Sequence, residues 1–260
     1  MRQRPSMETT HPMPTPFSHL VAVDRLLTDA DVPATIRDVL NAQRAAYLLG
    51  SVAPDARVNA ENPRAATHFY HYEIPYEKAP WRIMLDENPS LAAPTNPAHR
   101  AFVAGYVAHL AMDQVWTEDM LVPYFGNGEW GADIKARFFV LHLMLIDMDE
   151  RDLHLIPDYA PDEICAAQPD DWLPFMPQDV LIDWQQMIYN QIKPDGESKT
   201  YDIFGERVKR AADELRRLAG DDDWMHEHLW QHVPRTIMGS VEDEMYDHAR
   251  DSLIAYMQEH

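Results

Sequence analysis

The chain reads as an all-α protein, a single-domain bundle of many helices, and three observations predict it. Apolar residues recur with a period near 3.6 through most of the 260 residues. No alternating stretch with hairpin turn chemistry interrupts them. Helix-start signals, in which a capping residue precedes a proline, recur along the chain. We place a disordered tail, polar and rich in proline, at residues 1–13, and one helical domain at residues 14–260.

The elements follow in order. Asp31-Val32-Pro33 supplies a cap and a first-turn proline for a helix with Ile36, Val39, Leu40 and Tyr47 on one side, which Gly50 ends. Asn96-Pro97 starts a second, with Phe102, Val103, Tyr106, Val107, Leu110 and Val115 at helical spacing. A third runs from about Asp133 to Asp152, and later helices are expected at Gln178–Ile192, Tyr201–Leu218 and Val241–Met257. Two proline-rich stretches, Tyr72–Pro97 and Ile156–Pro177, are expected as long loops, and long loops often form lids or binding surfaces. Trp81 and Trp172 lie in them, each expected to pin its own loop to the body.

Composition narrows the function. The net charge of -21 opposes binding to nucleic acid or to an anionic membrane surface. The basic residues Arg207, Lys209, Arg210, Arg216 and Arg217 are interleaved with Glu206, Asp213 and Glu214, as on a solvated helix face. No apolar run is long enough to span a membrane, and the first residues show no apolar signal segment, so a cytoplasmic location is expected. Cys165 is the single cysteine; it excludes an internal disulfide, and its acidic neighbours oppose a nucleophilic thiolate.

Two carboxylate–histidine pairs carry the chemistry: Asp55 with His68, and His109 with Asp113. The second pair is spaced i, i+4 in a helical context, which puts both side chains on one face. Two imidazoles and two carboxylates make a nearly closed zinc shell. The helix around Asp113 is apolar enough to be buried, and a buried carboxylate needs a partner. A metal ion would satisfy it; so would a His–Asp hydrogen bond with nothing bound. His142 sits on an apolar helix, where a buried structural role competes with ligation. His226, His228 and His232 lie in a polar, acidic segment and read as exposed, and Glu242, Glu244 and His248 read as surface ion pairing.

These residues resemble a family. Gly50-x-x-x-Pro54-Asp55, Thr67-His68 and Gly105-x-x-x-His109-x-x-x-Asp113 are similar to the ligand motifs of the zinc-dependent phospholipase C family, whose superfamily includes single-strand nucleases. Pro14 to His19 also resembles the start of bacterial members, where an early histidine approaches the metals. The likeness covers about the first 150 residues. It implies an all-α fold with the metal site between helices, hydrolysis of phosphate esters, and Asp55 as general base. One zinc ion is expected, on Asp55, His68, His109 and Asp113; a second, sharing Asp113 with His19, is the alternative left open. Small phosphate esters or lipid head groups would be the substrates.

The chain also departs from that pattern. A tail precedes His19 where the secreted enzymes use their amino terminus as a ligand. Asp119, beside Glu118, stands where a family histidine is expected, and Ile146 stands four residues after His142 where a carboxylate is expected. The competing reading is a non-catalytic helical protein with a structural or vestigial metal site.

Overall fold

The structure, a computed structural model, describes residues 15–60, 63–70, 72 and 74–260; the tail expected at residues 1–13 lies outside them. Thirteen α-helices and no strand occur among the described residues. They are α1 Pro16–Leu26, α2 Ala34–Ala42, α3 Arg44–Val52, α4 Ala65–His68, α5 Pro80–Glu87, α6 Pro97–Val115, α7 Ile134–Leu153, α8 Ala160–Ala166, α9 Gln178–Ile192, α10 Thr200–Val208, α11 Ala212–Ala219, α12 Asp222–Met225 and α13 Arg235–Glu259. A 3-10 segment, Ala53–Ala60, continues α3, and a π-helical segment, Trp116–Gly126, continues α6.

α6 is the axis of the fold. Asn96 caps it by accepting from the Ala98 amide, and Pro97 opens its first turn. Every residue from Ala101 to Asp113 is buried, so the helix is enclosed on all sides and not merely along one stripe. α3 and α13 pack against it, and α1 lies across α3 and α7.

The approach of α3 to α6 depends on two glycines. A Cβ on Gly50 would stand 2.0 Å from the Phe102 carbonyl oxygen, and one on Gly105 would stand 2.2 Å from that of Tyr47. Backbone therefore meets backbone, with no side chain between.

Four expectations need correction. The helix expected from Asp31 to Gly50 is two, α2 and α3, broken at Gln43, whose φ of -122° and ψ of 31° are not helical. Gly50 does not end α3; it lies inside it, serving the contact with α6. The Tyr72–Pro97 and Ile156–Pro177 stretches are not long loops, because Pro80 and Pro161 stand in the first turns of α5 and α8, where a missing N–H costs nothing. The helix expected over Tyr201–Leu218 divides into α10 and α11 at Lys209, which takes a left-handed φ of 56° as the C-cap of α10.

Trp81 and Trp172 are both buried, and Trp172 stacks on His99 and packs against Phe102. They anchor their segments to the body.

Candidate metal centre

Five predicted residues come from four segments and meet at one place. α1 contributes His19, the 3-10 segment Asp55, α4 His68, and α6 both His109 and Asp113. His19, His68, His109 and Asp113 are fully buried, and Asp55 is half-buried. His68 Nε2, His109 Nε2 and Asp113 Oδ2 lie 3.3–3.4 Å from one another. Asp55 Oδ1 stands 3.5 Å from His68 Nε2, and Asp113 Oδ1 stands 3.5 Å from His19 Nε2.

The backbone sets how each donor points. Tight packing of α3 on α6 brings the Ser51 carbonyl within 2.7 Å of His109 Nδ1. A carbonyl only accepts, so Nδ1 carries the proton and Nε2 is left facing the cluster. His109 also stacks on His19, with centroids 3.7 Å apart. α4 is only one turn long, and Tyr106 ties it to α6 by donating to the Thr67 carbonyl at 2.7 Å. Phe69, directly after His68, takes a left-handed φ of 60°, which costs a non-glycine residue roughly 1–2 kcal/mol. Its buried ring packs against Phe175 and holds the turn.

Both carboxylates of the cluster are held in their charged form. Burial raises the Asp113 carboxyl, but Arg64 and His109 outweigh it and hold the group well below the carboxylate range. Asp55 is likewise kept ionised against burial by His68, His109 and Arg64. Burial, together with His109, lowers His19 to about 4, against the pull of Asp113. Burial and Arg64 lower His68 as well. His109 is raised, because Asp113 overcomes its desolvation. Two neutral imidazoles thus face two carboxylates.

Sequence reasoning missed Arg64. Its guanidinium bonds Asp113 Oδ2, lies 4.0 Å from Asp55 Oδ1, and donates to the Tyr70 hydroxyl. Nothing in the run Pro63-Arg64-Ala65 marks it; only the fold carries it to the carboxylates. Other residues weighed from sequence lie elsewhere. His142 donates from Nδ1 to the Phe138 carbonyl and meets Phe204 edge-on. Glu118 accepts from the Tyr76 amide, and Asp119 is exposed. His228 stacks on Trp224, His232 on Trp130, and Glu242 pairs with Arg151. Cys165 is exposed.

The donor set fits a metal ion. Neither ring nitrogen of His19 nor Oδ1 of Asp113 has a hydrogen bond, although all are buried, and such orphans are rare without a partner. Bonds of about 2.1 Å to a tetrahedral ion put neighbouring ligand atoms about 3.4 Å apart, which is the spacing found. Donor atoms of His19, His109 and Asp113, and of Asp55, His68 and His109, group within 4.8 Å. Buried His19, His68, His109 and Asp113 can hold an ion.

The centre adjoins a cavity of about 500 Å³, whose lining includes Asp55 and Arg64. Arg57 and Arg207 also line it, beside apolar walls from α1, α9 and α10. Arg207 is exposed, as expected for its cluster, and also lines the cavity rim, while Arg210 and Arg216 pair with Glu214 and Asp213 on the surface.

No protein-family profile, curated protein or solved structure matches this chain. The fold and site define an all-α protein with a buried histidine–aspartate centre beside an arginine-bearing cavity. No helix among the described residues is long and apolar enough to cross a membrane.

Proposed function

We propose that the chain is a metal-dependent hydrolase of phosphate esters, with zinc as the resident ion. The observation that carries this reading is the convergence of His19, Asp55, His68, His109 and Asp113 at ligand spacing, with buried donor atoms left unsatisfied. The resemblance of the same residues to the phospholipase C motifs supports it. An ion held there would supply Lewis acidity toward a phosphoryl oxygen and acidify a nearby water.

The remaining work falls to this chain's own groups. Asp55 is ionised and lines the cavity, so it can accept a hydrogen bond from water and orient it toward substrate. Arg57, Arg64 and Arg207 oppose the charge of a phosphoryl group. Buried Phe17 and Ile188 supply apolar wall beside these groups.

The test is elemental analysis of purified protein beside hydrolysis of bis(4-nitrophenyl) phosphate and 4-nitrophenyl phosphocholine. At least one zinc per chain is expected, with activity lost on chelation and restored by metal. A metal-free, folded and inert protein would overturn the proposal. One observation favours a second reading: Arg64 already neutralises Asp113. In that case the cluster is a non-catalytic network in which a guanidinium does the work of a metal, and Arg64→Met would unfold the chain without altering metal content.

A further inference from the structure

One guanidinium stands between the donor cluster and the cavity. His19, His68, His109 and Asp113 are fully buried, and none of them lines the cavity. Asp55 and Arg64 are the members of the centre that do. The Arg64 side chain is 11% exposed. An ion arriving from the cavity therefore meets Arg64 and Asp55 before it meets any imidazole.

Arg64 also holds an atom that the ion needs. Its Nη2 bonds Asp113 Oδ2, the same oxygen that lies 3.3 Å from His68 Nε2 and 3.4 Å from His109 Nε2. Those two nitrogens are 3.4 Å apart, so the three atoms form one face of a ligand set. Tyr70 moors the guanidinium: its hydroxyl accepts from Nε at 3.2 Å and from Nη2 at 3.1 Å. Nη1 lies 4.0 Å from Asp55 Oδ1.

Charge decides what an entering ion does to this arrangement. The centre has two carboxylates, Asp55 and Asp113, and a divalent ion balances both. With the ion in place, the guanidinium is a surplus positive charge largely shielded from water, which is costly. The cavity of about 500 Å³ gives it room, and Glu206 lines that space. Asp149 on α7 lines it too, but burial pushes that acid up to about 7, and the Thr15 and Thr200 hydroxyls already serve it.

We propose that Arg64 is the gate of the centre: guanidinium and ion are alternative partners of Asp113 Oδ2, and metal entry turns Arg64 out into the cavity. Arg64 acts in this way only if the centre takes a metal, so the gate rests on the metal reading of the site. The exchange never leaves Asp113 as an uncompensated buried charge.

The probe is Co2+ alone, mixed by stopped flow with chelator-treated protein and followed by its visible absorption. A gate that must open first makes the wild-type uptake rate rise with cobalt and then level off at the opening rate. Arg64→Met has no gate, so its rate should climb in proportion to cobalt without a plateau. At the highest concentration it should exceed wild type by at least about tenfold. Tyr70→Phe removes the mooring hydroxyl and keeps Arg64, so its plateau should stand about fivefold higher. Saturating zinc should also raise the Tm of Arg64→Met by more than that of wild type, since no buried cation has to be displaced.

A wild-type rate without a plateau, or a plateau that survives in Arg64→Met, would overturn the proposal. If Arg64→Met fails to fold by circular dichroism, Tyr70→Phe decides, and a plateau equal to that of wild type overturns the gate. Hydrolysis measured on the same samples separates the two proposals. A cobalt-loaded protein that shows the plateau but cleaves neither ester sinks only the hydrolase. An active metalloprotein whose uptake ignores Arg64 sinks only the gate, and refusal of cobalt by all three proteins sinks both.

Discussion

At the scale of single residues, Asp113 joins two roles: it faces three imidazoles and neutralises Arg64. Removing its charge strands a guanidinium that is mostly enclosed. Asp113→Asn should therefore lose bound metal and cost about 3–5 kcal/mol, read by denaturant titration beside elemental analysis. Arg64→Met removes a cation that competes for the same oxygens, so zinc affinity should rise by at least about tenfold in a chelator competition. Asp149 gives a pH signature. Its acid stands near 7 in the fold against 3.8 for the free group, so the folded protein holds that proton more tightly. Its stabilising contribution is complete below about pH 4 and lost as the pH rises through 7. Asp149→Asn should thus gain on wild type between pH 4 and pH 8, by on the order of 3–4 kcal/mol. A wild type that gains on the variant over that range would contradict the assignment.

At the scale of elements, the contact of α3 with α6 is the most demanding feature. Gly105→Ala would drive a methyl group into the Tyr47 carbonyl. The expected loss is about 1–3 kcal/mol or more, with weakened metal binding, because Ser51 would retreat from His109. Gly50→Ala should do the same against Phe102. The long helices were legible. Asn96-Pro97 and Asp133 announce α6 and α7, and the range expected for α9 coincides with Gln178–Ile192. The interruptions were not, since Gln43 and Lys209 are ordinary helix formers made irregular by tertiary packing. Prolines misled where they crowd together, because the same residue that breaks a helix interior opens a first turn. In the site, the i, i+4 pair on α6 and the two flanking donors could be read from spacing. Arg64 and Asp149 could not, since neither sits in a pattern and each gains its environment from distant segments.

At the scale of the whole molecule, 43 acidic residues face 22 basic ones. Three of the arginines line the cavity, alongside Asp55, Asp149 and Glu206. Self-repulsion of the outer charge is screened by salt, whose Debye length falls from about 30 Å at 0.01 M to below 10 Å at 0.2 M. Raising salt over that range should lift the Tm by about 3 °C, and a fall would show that the surface ion pairs outweigh the net charge.

Both His109 and Asp113 belong to the helix against which α3 and α13 pack. Its amides should be the last to trade their protons for deuterons, opening only when the entire chain unravels.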